Sequence, residues 1–145
     1  MLQLLMKYFM NTKSLFQLMT YTIKSEKEIE DITDTVEVLC AEHSLALLHH
    51  YVYHKVVKEK GFPIERKVYV YEVCQAKVAA LVLTDEPDFA PFMPCRVAIY
   101  EKEDHCVIST QNMGMMLDTL KANKELYRQT STLFETLKTL MNKLK

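Results

Sequence analysis

The sequence of 145 residues contains only two glycines, and this scarcity limits the kinds of binding site that it can form. Phosphate-binding loops and dinucleotide-binding motifs need several closely spaced glycines, because the backbone must approach the phosphate oxygens. Gly61 and Gly114 lie too far apart for either motif. The glycine-flanked serine of many hydrolases does not occur either. The sequence therefore excludes these classes of nucleotide-binding enzyme and serine hydrolase.

Excess charge of one sign is also missing, since the formal net charge at pH 7 is -1. A general nucleic-acid binder needs a strong basic excess to neutralise phosphates. We therefore expect no nucleic-acid partner. No apolar run approaches the ~18 residues that a membrane-spanning helix requires. The sequence predicts a protein without a transmembrane segment.

The four cysteines, at positions 40, 74, 95 and 106, form no CxxC pair and no zinc-like cluster. A chain of this length can bury a sufficient core without disulfides. The N-terminal apolar stretch is interrupted at Lys7, and no small-residue cleavage site follows it, so we do not interpret it as an export signal. These observations favour a cytoplasmic protein.

Residues 1–19 are predicted to be an N-terminal extension, and residues 20–145 a single domain. Within the extension, Leu2, Leu5, Met6 and Phe9 have helical spacing. Two interpretations stay open. The extension is either an amphipathic helix that lies on the domain, a partner or a membrane surface, or a loosely held terminus.

The periodicity of residues 20–145 predicts an α+β domain with the element order β-α-β-β-α-β-β-α. Ser25 and Glu28 form a capping-box pattern that starts a helix reaching residues 42–44. Residues 58–65 contain Gly61 and Pro63 and predict a loop. Strand patterns occur at residues 20–24, 45–54, 67–74, 95–102 and 106–110. Simple alternation in the second strand places Leu47, His49, Tyr51 and Tyr53 on one face, and Leu48, His50, Val52 and His54 on the other.

Two helical segments complete the pattern. Residues 76–83 fit a strand or a buried helix by periodicity, and their alanines favour a helix. A long helix is expected from Asn112 onward, with an apolar stripe that Asn123 and Thr130 interrupt. The methionines at positions 113, 115 and 116 are interpreted as core filler or as a dimer contact.

A set of residues in the middle of the chain forms a recognisable pattern: Lys60-Gly61, Glu72, Cys74, Ala79, Leu83, Glu86-Pro87, Pro94, Cys95, Arg96, Tyr100 and Glu101. This pattern resembles that of the uncharacterised bacterial and archaeal family known as domain of unknown function 302. The resemblance implies an α+β fold similar to that of TATA-binding protein, with an antiparallel sheet and helices packed on one side. It also implies a helix after Cys74 and assembly as a homodimer. It implies no established activity or cofactor.

The candidate site is the pair Cys74 and Cys95, with Glu72 and Arg96 as neighbours. A thiolate at Cys74 would gain from the amides at the start of the following helix. Glu72 shares its strand face with Cys74 by alternation, and Arg96 is expected to point away from Cys95. His50 and His54 could join the cysteines as metal ligands if the strand register allowed it.

Three functions remain open at this stage, and the sequence does not decide whether the protein is an enzyme. The first is a homodimeric domain that binds a small ligand or a metal near Glu72, Cys74 and Cys95. The second is a thiol-dependent redox protein in which Cys74 attacks and Cys95 resolves. The third is a purely structural interaction domain in which both cysteines only fill the core.

Overall fold

A computed structural model describes residues 12–145 of the chain. The predicted helical positions Leu2, Leu5, Met6 and Phe9 lie outside the described residues. Within residues 12–145 no helix is long and apolar enough to span a bilayer.

The helices and strands follow one another as an α+β chain. The strands are β1 (Thr20–Ser25), β2 (Ala46–Val52), β3 (Val68–Cys74), β4 (Cys95–Lys102) and β5 (His105–Gln111). The α-helices are α1 (Thr12–Met19), α2 (Ile29–Thr33), α3 (Val36–Glu42), α4 (Tyr53–Glu59), α5 (Ala76–Asp85), α6 (Gly114–Leu117) and α7 (Lys124–Leu144). Two 3-10 helices span Pro87–Phe92 and Asp118–Leu120. The five predicted strands and the predicted helix after Cys74 are confirmed.

The five strands form one antiparallel sheet in the order β1-β5-β4-β3-β2. One face of the sheet carries the buried side chains of β3, β4 and β5, such as Val73, Ile99 and Ile108. Helices α2, α3 and α7 contribute Ile32, Cys40, Leu137 and other residues to the same cluster. The helices therefore cover one face, as predicted. We call the other side, with Tyr51, Val68, Val70, Ala98 and Tyr100, the outer sheet face.

The first predicted helix is divided, and its predicted cap is wrong. Ser25 ends β1 instead, and its buried hydroxyl donates to the carbonyl oxygen of Lys145 at 3.2 Å. The N-cap of α2 is Glu28, without a side-chain capping bond. Helix α2 stops because the Thr35 hydroxyl donates to Ile32 O at 2.9 Å. That carbonyl is the acceptor that Val36 N–H would need in a continuous helix.

Strand β2 differs from simple alternation at a bulge between Leu47 and His49. Because Leu48 is the extra residue, Leu47 lies opposite Val73 on the helix-covered face, together with His50 and Val52. His49 and Tyr51 lie on the outer sheet face, opposite Glu72 and Val70. The prediction that Leu47 shares a face with His49 and Tyr51 is wrong, because one inserted residue inverts the alternation.

Strand β2 ends at Val52, and helix α4 occupies part of the predicted strand and loop. Gly61 ends this helix with a φ of 89°, a backbone conformation that favours glycine. Gly61 N–H donates to Lys58 O, and Phe62 N–H donates to Val57 O. These two bonds are the Schellman pattern of helix termination.

The long C-terminal helix begins at Lys124 and not at Asn112. Asn123 is its N-cap, and the side-chain oxygen of Asn123 accepts from Leu126 N–H at 3.1 Å. Such a bond satisfies one of the free amides at a helix start, so the polar interruption at position 123 marks a boundary. The buried stripe of α7 consists of Leu126, Thr130, Phe134, Leu137, Leu140, Met141 and Leu144.

Candidate functional site

A cavity of about 40 Å³ lies where β3 passes into α5 and β4 begins. Cys74 and Cys95 both line it, so the predicted cysteine pair shares one site. The remaining wall is formed by Val73, Gln75, Val78, Ala79, Val82, Phe89, Phe92, Met93, Pro94, Met113, Leu117, Thr130 and Leu133. A cavity needs roughly 10–15 Å³ to hold one water molecule, so this cavity has room for a small group of atoms.

Helix α5 forms one side of the cavity because its apolar residues recur at helical spacing. Val78 and Val82 are one turn apart and buried, whereas Leu83 on another side of the helix is 46% exposed. The 3-10 helix that follows supplies Phe89 and Phe92, whose rings are 6.1 Å apart in an edge-to-face arrangement. Phe92 is also 42% exposed. It therefore lies where the cavity meets the solvent.

The cavity wall contains few polar groups and no charged residue. The Thr130 hydroxyl donates to Leu126 O at 2.8 Å, so its hydrogen is already engaged within α7. Gln75 is the N-cap residue of α5, and its side chain makes no capping bond. The amide of Gln75 and the two thiols are thus the groups that could contact a polar end of a ligand. The rest of the wall offers only apolar contact.

Burial raises the pKa of three of the four thiols. Burial raises the pKa of Cys95, and the nearby Cys74 raises it further. Burial also raises the pKa of Cys40 and of Cys106, which lie in the core cluster between the sheet and its helices. A raised pKa lowers the thiolate fraction, and the thiolate is the nucleophile and the metal ligand. All four cysteines are free.

Glu72 and Arg96 do not line the cavity. They face one another across β3 and β4, and Arg96 Nε lies 3.4 Å from Glu72 Oε1. Cys95 instead pairs with Val73, so Arg96 points away from Cys95, as predicted. The structure therefore separates the predicted set of four. Two cysteines line the cavity, and the ion pair lies at the border of the outer sheet face.

The two candidate metal-binding histidines have other surroundings. His50 stacks on the ring of Tyr71, with the ring centroids 5.8 Å apart. His54 lies in α4, where its Nδ1 accepts a hydrogen bond from Val68 N–H at 3.1 Å and its ring meets Tyr69 edge-on. Across residues 12–145, no three side chains of His, Cys, Asp or Glu form a group that could hold a metal ion. The predicted metal set of Cys74, Cys95, His50 and His54 is not brought together.

Most of the cavity wall was not predicted from the sequence. Val78, Val82 and Leu133 have the spacing of ordinary core residues. The same spacing occurs around a cavity and in a filled core, so it does not reveal the cavity. Thr130 was the one visible signal, because it interrupts an apolar stripe and is nevertheless buried. Met113, for which the sequence leaves core filler and dimer contact open, lines the cavity.

Comparison with known proteins agrees with this fold. A family model described as domain of unknown function DUF302 matches residues 21–144. No curated protein matches the chain. A crystal structure of an uncharacterised conserved DUF302 protein from Bacillus stearothermophilus is similar, with a TM-score of 0.76 and 17% sequence identity. The similarity covers 88% of this chain and 99% of that chain.

Proposed function

The chain belongs to the DUF302 family, and on that premise we propose that it is a homodimeric domain that binds a small, neutral, apolar ligand. The binding site is the cavity between β3, α5 and α7, with Cys74 and Cys95 in its wall. The observation that carries this proposal is the composition of the wall, which includes Cys74 and Cys95 but no Asp, Glu, Lys, Arg or His. Ligand pockets in proteins are mostly apolar with a few polar groups that orient the ligand.

The size and polarity of the cavity restrict the ligand. A buried charge without a partner is strongly disfavoured, so an ionised ligand would lose its hydration without compensation. A volume of about 40 Å³ suits a short alkyl group or a comparable small fragment. Any larger part of the ligand would extend past Phe92 into the solvent, because this residue is both part of the wall and exposed.

We expect Ala79→Leu to abolish ligand binding, because the added atoms fill the cavity. The matched control is Ala80→Leu, which makes the same change at the next position of α5, where the side chain is exposed. The measurement is a titration of the ¹⁵N-labelled protein with 1-butanol, followed by the amide shifts of Cys74, Val78 and Cys95. Sodium butyrate serves as the charged comparison. Wild type and Ala80→Leu should respond to 1-butanol and much less to butyrate.

Two results would contradict the ligand site. One is the same shift pattern for Ala79→Leu as for wild type, and the other is an equal response to butyrate and 1-butanol. A melting curve for each variant separates loss of binding from loss of folding, since overpacking a core typically costs about 1–3 kcal/mol of stability.

A second candidate function is thiol redox chemistry, which the shared cavity of Cys74 and Cys95 favours. Oxidation would join the two sulfurs and release two protons, while a small-molecule disulfide would take up the two electrons and become two thiols. Cα atoms of bridged cysteines are typically about 4.4–6.8 Å apart, which neighbouring strand positions can provide. The raised pKa of Cys95 opposes this function, because exchange requires a thiolate.

Alkylation by iodoacetamide discriminates between the two candidates. Because the pKa of Cys95 is raised, its thiol stays protonated at pH 7.5, and its thiolate fraction grows only as the pH rises through the raised pKa. We expect native Cys95 to react more slowly than the same cysteine in urea, because its raised pKa leaves a smaller thiolate fraction in the folded protein. Peptide mass spectrometry measures the modified fraction. Faster native than unfolded reaction at pH 7.5 would support the redox candidate instead.

The dimer contact proposed here is the outer sheet face. Its central residues Val68, Val70 and Ala98 are half-buried apolar side chains, with Tyr51 and Tyr100 beside them. The apolar stripe of α7 lies in the core, so that helix is not available for the contact. In an interface with two-fold symmetry, each partner presents the same surface to the other. Glu72 and Arg96 at the border then provide charges of both signs to both copies.

The remaining alternative is a purely structural interaction domain. It requires only the outer sheet face and no ligand, and it would leave the cavity as a packing imperfection. Replacement of Cys74 and Cys95 by alanine would then change neither the dimer nor any binding.

We further infer a cytoplasmic location, which the four free cysteines support because disulfides are rare in reducing compartments.

A further inference from the structure

Helix α1 presents an apolar stripe to solvent. Leu15, Phe16, Leu18 and Met19 are 39%, 64%, 37% and 58% exposed. At about 100° per residue, these four positions occupy an arc of about 160°, and Lys13 and Gln17 fall on the opposite side. The helix is therefore amphipathic, and both its apolar and its polar side are exposed. A helix that covered its own domain would bury its apolar side.

Backbone contacts hold the helix end in place without using this stripe. The side-chain amide of Asn112 donates to Leu18 O at 3.1 Å, and Asn112 N–H donates to Met19 O at 2.7 Å. The Thr20 hydroxyl donates to Phe16 O at 2.6 Å. Thr20 begins β1 immediately after the helix. These contacts fix the C-terminal end of the helix to the end of the sheet, and the apolar side chains keep a partly exposed surface.

The charges along the chain favour one kind of partner. Residues 1–25 contain Lys7, Lys13 and Lys24 and no acidic residue, whereas residues 26–145 contain 19 acidic and 15 basic residues. The apolar stripe thus belongs to a segment that has three lysines and no acidic residue, whereas the rest of the chain has more acidic than basic residues. Amphipathic helices that combine apolar and lysine side chains bind at the interface of membranes with anionic lipids.

We propose that helix α1 attaches the protein to the surface of an anionic phospholipid bilayer, with Leu15, Phe16, Leu18 and Met19 inserted among the lipid chains. The lysines of residues 1–25 contribute attraction to the lipid head groups. The rest of the chain has more acidic than basic residues and is on balance repelled by the same surface. This proposal does not depend on the ligand cavity or on the dimer.

A second copy of the chain fits the stripe less well. Two copies would bring two cationic segments together, and like charges would then oppose the contact. Four side chains on one short helix also provide much less than the ~800 Å² per partner of a stable interface. A bilayer needs neither a large area nor shape complementarity.

Sedimentation with lipid vesicles tests the proposal on the full chain. The vesicles contain equal amounts of phosphatidylglycerol and phosphatidylcholine, and pure phosphatidylcholine vesicles are the comparison. We expect at least about tenfold more bound protein on the anionic vesicles, with binding that weakens as salt screens the charges. The triple variant Leu15→Ser, Phe16→Ser and Met19→Ser should lose this binding. Lys13→Glu should reduce it.

The control triple variant is Val38→Ser, Phe62→Ser and Leu83→Ser, which removes apolar side chains with exposures of 60%, 75% and 46% from the body of the domain. It should bind the anionic vesicles like wild type. The proposal is overturned if wild type does not sediment with them, if it binds both vesicle types equally, or if the α1 variant binds as wild type does. It is also overturned if the triple variant of α1 converts a dimer to a monomer and keeps its binding to the anionic vesicles.

Discussion

Replacement of Leu137 by alanine should reduce the free energy of unfolding by about 2–5 kcal/mol. Leu137 lies in the middle of α7, is 1% exposed and belongs to the cluster that joins the helices to the sheet. Its truncation removes buried apolar contacts and leaves a hole that the surrounding β-strands can fill only partly. Because domains of this size are stable by about 5–15 kcal/mol, the variant should unfold at a clearly lower urea concentration.

The measurement is urea unfolding monitored by circular dichroism. The slope of the free energy of unfolding against urea concentration is compared between variants. Leu83→Ala is the matched control, because the same truncation at a position that is 46% exposed should change stability by at most about 0.5 kcal/mol. A loss below about 1 kcal/mol for Leu137→Ala would contradict the packing of α7 against the sheet.

Replacement of Val70 by lysine should convert the proposed dimer to a monomer at micromolar concentrations. Val70 is half-buried in the centre of the outer sheet face, between Tyr51 on β2 and Ala98 on β4. In the monomer the lysine can extend its ammonium group into water. In the dimer the same group would be buried without a partner, which is strongly unfavourable.

Analytical ultracentrifugation over a dilution series measures this change. Val38→Lys, on the exposed side of α3, introduces the same charge at a residue that is 60% exposed and should leave the dimer intact. A wild-type protein that sediments as a monomer at every concentration would contradict the dimer. A dimeric Val70→Lys variant would place the contact elsewhere.

The sheet could be predicted from the sequence because its strands carry their own local signal. Residues 67–74 alternate valine with tyrosine at positions 68–71, residues 95–102 have β-branched side chains at Val97 and Ile99, and the structure confirms both strands. Boundaries that depend on single hydrogen bonds could not be predicted in the same way. The Thr35 hydroxyl that ends α2 and the extra residue at Leu48 act through local backbone geometry, which periodicity does not report.

In the candidate site, too, local patterns could be predicted from the sequence, whereas contacts between distant parts of the chain could not. The sequence predicts Cys74 and Cys95 as a pair, and both line the cavity because a strand, a helix and a returning strand bring the chain back to its starting point. It does not reveal that Thr130 and Leu133 of α7 complete the wall from about 40 residues further along the chain. Alternation along the strand predicts that Glu72 belongs to the site of Cys74. It does not predict the turn into α5 that follows Cys74.

The bulge at Leu48 also influences how the chain behaves when it is concentrated. Strand β2 forms one edge of the sheet, and a regular edge strand offers a row of free amides and carbonyls to a strand of another molecule. Leu48 is 56% exposed, and its apolar side chain would favour contact between such an edge and another molecule. The inserted residue breaks the regular spacing of the row and twists the strand. The bulge thereby protects this edge against open-ended growth into fibres.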